Sequence, residues 1–299
     1  MEMIEFYKNR SLGERFSAAA EFLRQNWKVL YKIILIPAIP LAIVMGYFQQ
    51  TFVSGYTAIL QRVIADKDIT AFNDMFSSAG TWIYYIVYLV FVVSLSAMAA
   101  AVMSRYQAGA LSKDTSLKDL GSQILSNMGK LFLIGLCVIV IAVLALIIIG
   151  ILIGVLASSI PGGVVLAVFI AFAAFFAIIP PLYLVRFPAL FQNASVGTSI
   201  KKGFILGFKN WGSTFAMIIV LGVATVVISF VFGLPYTIWT LTHLGQSDAV
   251  SYILGGISSL SEAFVTPLVF VFLAFQYFSI AEKEEGISLQ SKVEEFDNL

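Results

Sequence analysis

Six blocks of this 299-residue chain are apolar over lengths that leave it very few folds: Ile33 to Val53, Trp82 to Met103, Leu131 to Leu156, Val164 to Val185, Phe215 to Leu234 and Ala263 to Ile280. As helix, each reaches across the roughly 30 Å of hydrocarbon in a bilayer. Strands do not fit, because a barrel strand alternates apolar and polar residues, whereas these blocks are apolar on every face. With 60% of residues hydrophobic and 12% charged, the chain has too few charges to cover a soluble domain of its size. The expected fold class is all-α: a polytopic membrane protein of six transmembrane helices, one membrane domain over residues 1–299 with a tail from 281 to 299.

The charges are segregated between the blocks. Lys and Arg number six before the first block, two in the first loop, four in the second, four in the fourth and two in the tail, with none in the third and fifth loops. Sixteen of the eighteen fall on one side, and since short cytoplasmic loops collect Lys and Arg, both termini are expected in the cytoplasm. The first thirty-two residues carry six basic and four acidic side chains before any long apolar block, unlike a cleaved signal peptide, so the N-terminus is expected to be retained. Tyr31, Trp82, Tyr84, Tyr85, Tyr106, Trp211 and Tyr277 cluster towards block ends, as interfacial rings do. Pro37, Pro40, Pro180, Pro181 and Pro267 fall inside blocks, where kinks or missing hydrogen bonds are expected.

Two segments align without a gap at an offset of 184 residues: Ser11, Gly13, Asn26 and Trp27 recur as Ser195, Gly197, Asn210 and Trp211. Leu12, Phe16, Ala20, Leu23 and Trp27 are matched by Val196, Ile200, Phe204, Gly207 and Trp211, a helical spacing. Ser11 and Ser195 read as N-caps, with Glu14 completing a capping box. A shorter middle copy opens at Ser116, with Leu117, Leu120, Ile124 and Met128 as its stripe and Asn127 where the others have Asn. The chain thus reads as three units, about 11–103, 116–185 and 195–280, each an amphipathic cytoplasmic helix followed by a membrane hairpin.

Chemistry-bearing residues are sparse. Asp66, Asp68, Asp74, His243 and Asp248 fall in the outward loops without metal-ligand spacing, and there is one His and one Cys in the whole chain. Cys137, inside an apolar run, reads as a small buried residue. Glu262 enters the sixth block as a candidate polar site at its membrane end, because a carboxylate near hydrocarbon must be paired, protonated or facing water. Arg105 and Arg186, at block ends, suit snorkelling to phosphate. Gly150 and Gly154 form a GxxxG pair suited to internal helix packing, and Gly203 and Gly207 repeat the spacing. No phosphate loop, nucleophile elbow or HExxH helix occurs, so no cofactor is expected and no enzymatic reaction is supported.

The stretch LVRFPALFQNASVGTSIKKGFILGFKNWGSTF, from Leu184 to Phe215, resembles the membrane-domain family associated with glycerophosphoryl diester phosphodiesterases and its uncharacterised bacterial relatives. A proline-containing span end (Pro188), a small-residue-rich amphipathic helix (Ser195 to Lys209) and the Asn210-Trp211 turn carry the likeness. The C-terminal YFSIAEKEEGISL is similar to relatives of the Bacteroidetes type. The resemblance implies a bacterial inner-membrane protein and no activity, since the catalytic part of those phosphodiesterases is a separate barrel of about 250 residues.

The leading expectation is a non-enzymatic membrane protein that organises or binds lipid, or an unidentified membrane protein partner, through Arg15, Arg24, Lys28, Lys201, Lys202 and Lys209 on its amphipathic helices. A transporter of lipid or a small apolar solute is the alternative, with Gln49, Gln50, Ser94, Ser96, Thr225, Ser229 and Thr266 as lining groups, and a membrane-embedded lipid enzyme is third. No nucleic-acid partner is expected.

Overall fold

A computed structural model describes residues 3–68, 70–160, 163–243 and 248–288; residues 289–299 of the expected tail lie outside the described residues. The described residues form helices only: α1 (Leu12–Ala65), α2 (Ala71–Ser77), α3 (Ala79–Gln107), α4 (Leu117–Ser159), α5 (Gly163–Leu184), α6 (Phe187–Phe191), α7 (Val196–Lys209), α8 (Trp211–Thr242) and α9 (Ala249–Glu285). Six stretches, α1, α3, α4, α5 with α6, α8 and α9, are long and apolar enough to cross a membrane.

The helices begin where their caps are. Ser11 N–H donates to Glu14 Oε2 at 2.7 Å and Glu14 N–H donates back to Ser11 Oγ at 3.4 Å, the reciprocal pair of a capping box. Ser116 N–H donates to Asp119 Oδ2 at 2.8 Å in the same arrangement. Ser195 Oγ accepts from Thr198 N–H at 3.3 Å.

Beyond their caps the three repeat segments depart from the pattern expected of them. The amphipathic segment before the first block is not a helix of its own: α1 runs unbroken for 54 residues, about 80 Å at 1.5 Å per residue. The middle copy is likewise continuous with its block in α4. Only the third copy is separate, because Asn210 leaves helical geometry (ψ 34°) between α7 and α8. Trp27 therefore lies inside a helix and Trp211 begins one. The asparagines before them still behave alike: Asn26 Nδ2 donates to Phe22 O at 3.0 Å and Asn210 Nδ2 to Leu206 O at 3.3 Å.

Helix α9 is the centre of the bundle. It runs antiparallel to α1, meeting it at Arg15 with Gln276, at Tyr31 with Phe264, and at Gly46 with Gly256. At the last of these the backbones touch, since a Cβ on Gly46 would stand 2.6 Å from Tyr252 O and 2.7 Å from Gly256 Cα. Nearly every residue from Phe270 to Ala281 is buried, in a sleeve of rings. Phe6 and Phe191 each stand 4.8 Å from Phe278, and Phe187 stands 5.4 Å from Tyr277. Tyr277, read from sequence as interfacial, is fully buried because these rings enclose it.

The α4–α5 hairpin is the opposite case. From Ile139 to Val155 the large apolar side chains of α4 are mostly exposed, as are those of α5 from Val164 to Phe175. Gly150 and Gly154 have nothing within 4 Å of a Cβ, so they do not mediate internal packing, and Cys137 is exposed rather than buried. Gly203 and Gly207 do pack: a Cβ on either would reach the backbone at the end of α5, 2.6 Å from Val185 N or 2.8 Å from Pro181 N.

Candidate functional site

The helix that carries Glu262 starts well before the last apolar block. That helix starts at Ala249, where the Asp248 carboxylate accepts from Ser251 N–H and Oγ–H, both at 2.7 Å. These bonds, the hydroxyl first, hold the Asp248 carboxyl below its usual range. Glu262 is thus about 20 Å along a helix from its start and half-buried.

Its carboxylate is held by hydroxyls alone. Tyr88 of α3 donates to Oε1 at 3.3 Å, and Thr266, one turn further on, donates to Oε2 at 3.1 Å. No ion pair involving Glu262 is found among the described residues. The carboxylate faces a cavity of about 200 Å³ between α1, α3, α8 and α9, where Gln49, Tyr84, Ser229 and Ser258 supply further polar groups. Gln49 Oε1 accepts from Ser259 Oγ at 2.9 Å, which fixes its amide in the wall.

A second cavity of about 140 Å³ lies along α8 and α9 and is apolar apart from Tyr183 and Thr225; Ile218, Leu221, Val269 and Leu273 line it. Thr225 and Ser229 are one turn apart on α8, and Thr266 and Val269 nearly so on α9, so both cavities follow one seam. Of the expected lining groups, Gln49 and Ser229 line the first cavity and Thr225 the second, while Thr266 touches the first only through Glu262. Gln50 instead accepts from Tyr236 at 2.9 Å, and Ser94 donates back to Val90 O at 2.7 Å.

Of the basic residues expected to contact lipid or a partner, Arg15 is buried, Lys202 half-buried, and Arg24, Lys28, Lys201 and Lys209 are exposed. Arg15 is 7% exposed and turned inward. Its Nε donates to Arg10 O at 2.8 Å and Ser279 Oγ at 3.0 Å, and its Nη1 to Gln276 Oε1 at 2.9 Å. A buried guanidinium so occupied is not a lipid contact. Arg24 pairs with Glu21 at 2.7 Å, Lys202 with Glu285 at 3.0 Å and Lys209 with Glu284 at 3.2 Å. Lys28 lies 5.6 Å over the Trp27 ring. Lys201 is exposed with no ion pair among the described residues. Sequence reasoning missed the partners of Arg15, Lys202 and Lys209 because Gln276, Ser279, Glu284 and Glu285 lie far along the chain, whereas Glu21 is only three residues from Arg24.

Elsewhere, His243 stacks on Trp239 with centroids 3.9 Å apart, and Arg186 sits over the rings of Tyr183 and Phe187 at 5.5 and 5.8 Å. Among the described residues no three His, Cys, Asp or Glu gather closely enough to hold a metal ion. No family model, curated protein or solved structure matches the chain.

Proposed function

We propose that this chain is a non-enzymatic integral membrane protein whose six long helices cross a bacterial inner membrane, and that it binds a membrane-borne ligand, a lipid or small apolar solute, along the α8–α9 seam at Glu262. The observation that carries the reading is a half-buried carboxylate partway along a long apolar helix, held among the described residues by two hydroxyls and bordering a cavity. A charge so placed is costly to keep without use. The cytoplasmic termini and the likeness to the phosphodiesterase-associated membrane domains are retained, as is a threefold order of capped segment and hairpin in which the first two segments run on into their spans. The binding site is placed at the seam because Glu262 has no ion pair among the described residues there, whereas Arg15 is buried and Lys202 and Lys209 pair with α9.

Native mass spectrometry of the purified chain tests it. Wild-type protein should retain a lipid or solute that Glu262→Gln and Glu262→Leu lose at unchanged helix content. Equal retention by all three proteins would remove Glu262 from the site. Orientation is tested by labelling single cysteines in a Cys137→Ser background: Ser112→Cys from the cytoplasm, and Ser247→Cys, outside the described residues, from the other face.

Transport is the second reading, favoured by Pro267. It lies one turn and a residue beyond Glu262 inside α9 and cannot donate to the Ala263 carbonyl, the kind of helix interruption found at transporter sites. Ligand movement in proteoliposomes, absent in Glu262→Gln, would select it over simple binding.

A further inference from the structure

We infer that the ligand of this seam is an amphiphile with a protonated amine head and an apolar chain, the ammonium against Glu262 and the chain in the second cavity. The inference rests on the binding reading above and adds the ligand's class. Glu262 is the only charged side chain lining either cavity among the described residues. With no Lys or Arg in those walls, a phosphate or carboxylate head would meet a like charge without compensation. A neutral alcohol would bring no counter-charge to a carboxylate that has no ion pair among the described residues.

An ammonium supplies the missing charge and three donors. The acceptors for them are present: the Glu262 oxygens, steadied by Tyr88 and Thr266, and the hydroxyls of Ser229 and Ser258 in the same wall. Tyr84 and Tyr88 also border this cavity, the Tyr84 ring stacked on Phe52 at 4.8 Å. Beyond the head site, the second cavity presents Leu221, Val269 and Leu273, surfaces that suit hydrocarbon and not a hydrated solute.

The test uses the full chain in phosphatidylcholine nanodiscs, titrated with dodecylamine, dodecanol and dodecanoic acid under native mass spectrometry. Wild-type protein should bind the amine about tenfold or more tightly than the alcohol, and the acid weakest. Glu262→Gln should erase the preference for the amine. Gly222→Trp, which places a large ring from a second-cavity position with open space around it, should weaken dodecylamine by about tenfold while sparing ethylamine. The wild-type ranking needs no variant, so a misfolded mutant cannot obscure the outcome. If the alcohol or acid binds as well as the amine, and Gly222→Trp weakens them, the ligand class is wrong and the seam remains the site. If none binds and no lipid is lost on Glu262 replacement, the binding reading itself falls.

Discussion

The most apolar window of α4 has a mean hydropathy of 3.6 and none of it is buried in the protein; that of α9 has 1.9 and is 72% buried. Hydropathy measures aversion to water and does not say whether lipid or protein takes water's place. The choice is written in the small and polar residues. Helix α9 buries Gly255, Gly256, Ser259, Gln276 and Ser279, each meeting a neighbour as backbone contact or hydrogen bond, whereas the outer part of α4 is nearly all branched aliphatics left exposed. Between membrane helices small residues allow close approach and polar ones supply directional bonds, so the less hydrophobic helix becomes the better packed.

The comparison can be broken most severely at the glycines. Gly46→Leu should prevent accumulation of folded protein, since its side chain would enter the α9 backbone and overpacking costs about 3 kcal/mol or more where nothing can yield. Gly150→Leu in α4 should leave abundance and thermal midpoint unchanged; equal damage from both would mean that α4 has a partner. Next, Phe275→Ala, at a fully buried ring, should cost about 3–5 kcal/mol in detergent unfolding. Ile148→Ala, at a residue 59% exposed, should change stability by less than about 0.5 kcal/mol.

Smaller effects sharpen the polar side of the contrast. Gln276→Leu removes the acceptor of Arg15 Nη1 and should cost about 1.5–3 kcal/mol, the value of a hydrogen bond to a charged group. Adding Arg15→Met should recover part of that loss, because the uncompensated charge goes with it; additive losses would deny the coupling. Smallest of all, replacing Lys202 and Lys209 together by Ala should shift stability by no more than about 1 kcal/mol, since both pairs with α9 are partly exposed. A larger drop would make these pairs part of what holds α9 in place.

All six long helices were legible because runs such as Leu131 to Leu156 have no competing reading. The capping box at Ser11 and the helix start at Ser116 were legible for the same local reason, as was the contact made by Gly203 and Gly207, although identical spacing at Gly150 and Gly154 makes none. The start of α9 was not legible. Its first residues, AVSYILGGISSLSE, mix glycine and serine with aliphatics and dilute hydropathy below that of a span. Glu262 was therefore noticed without the helical turns that precede it, and its cavity, built from four helices, has no local signature. The inward turn of Arg15 was hidden because its acceptors on α9 are more than 260 positions away along the chain.

The backbone contact between Gly46 and Gly256 also fixes the register of the two helices. Sliding α1 along α9 by about one turn, roughly 5.4 Å, would carry Ala42 or Gln50 to a surface that fits only a hydrogen atom. The cavity at Glu262 therefore has one wall of fixed register, α1 against α9, which α3 and α8 complete.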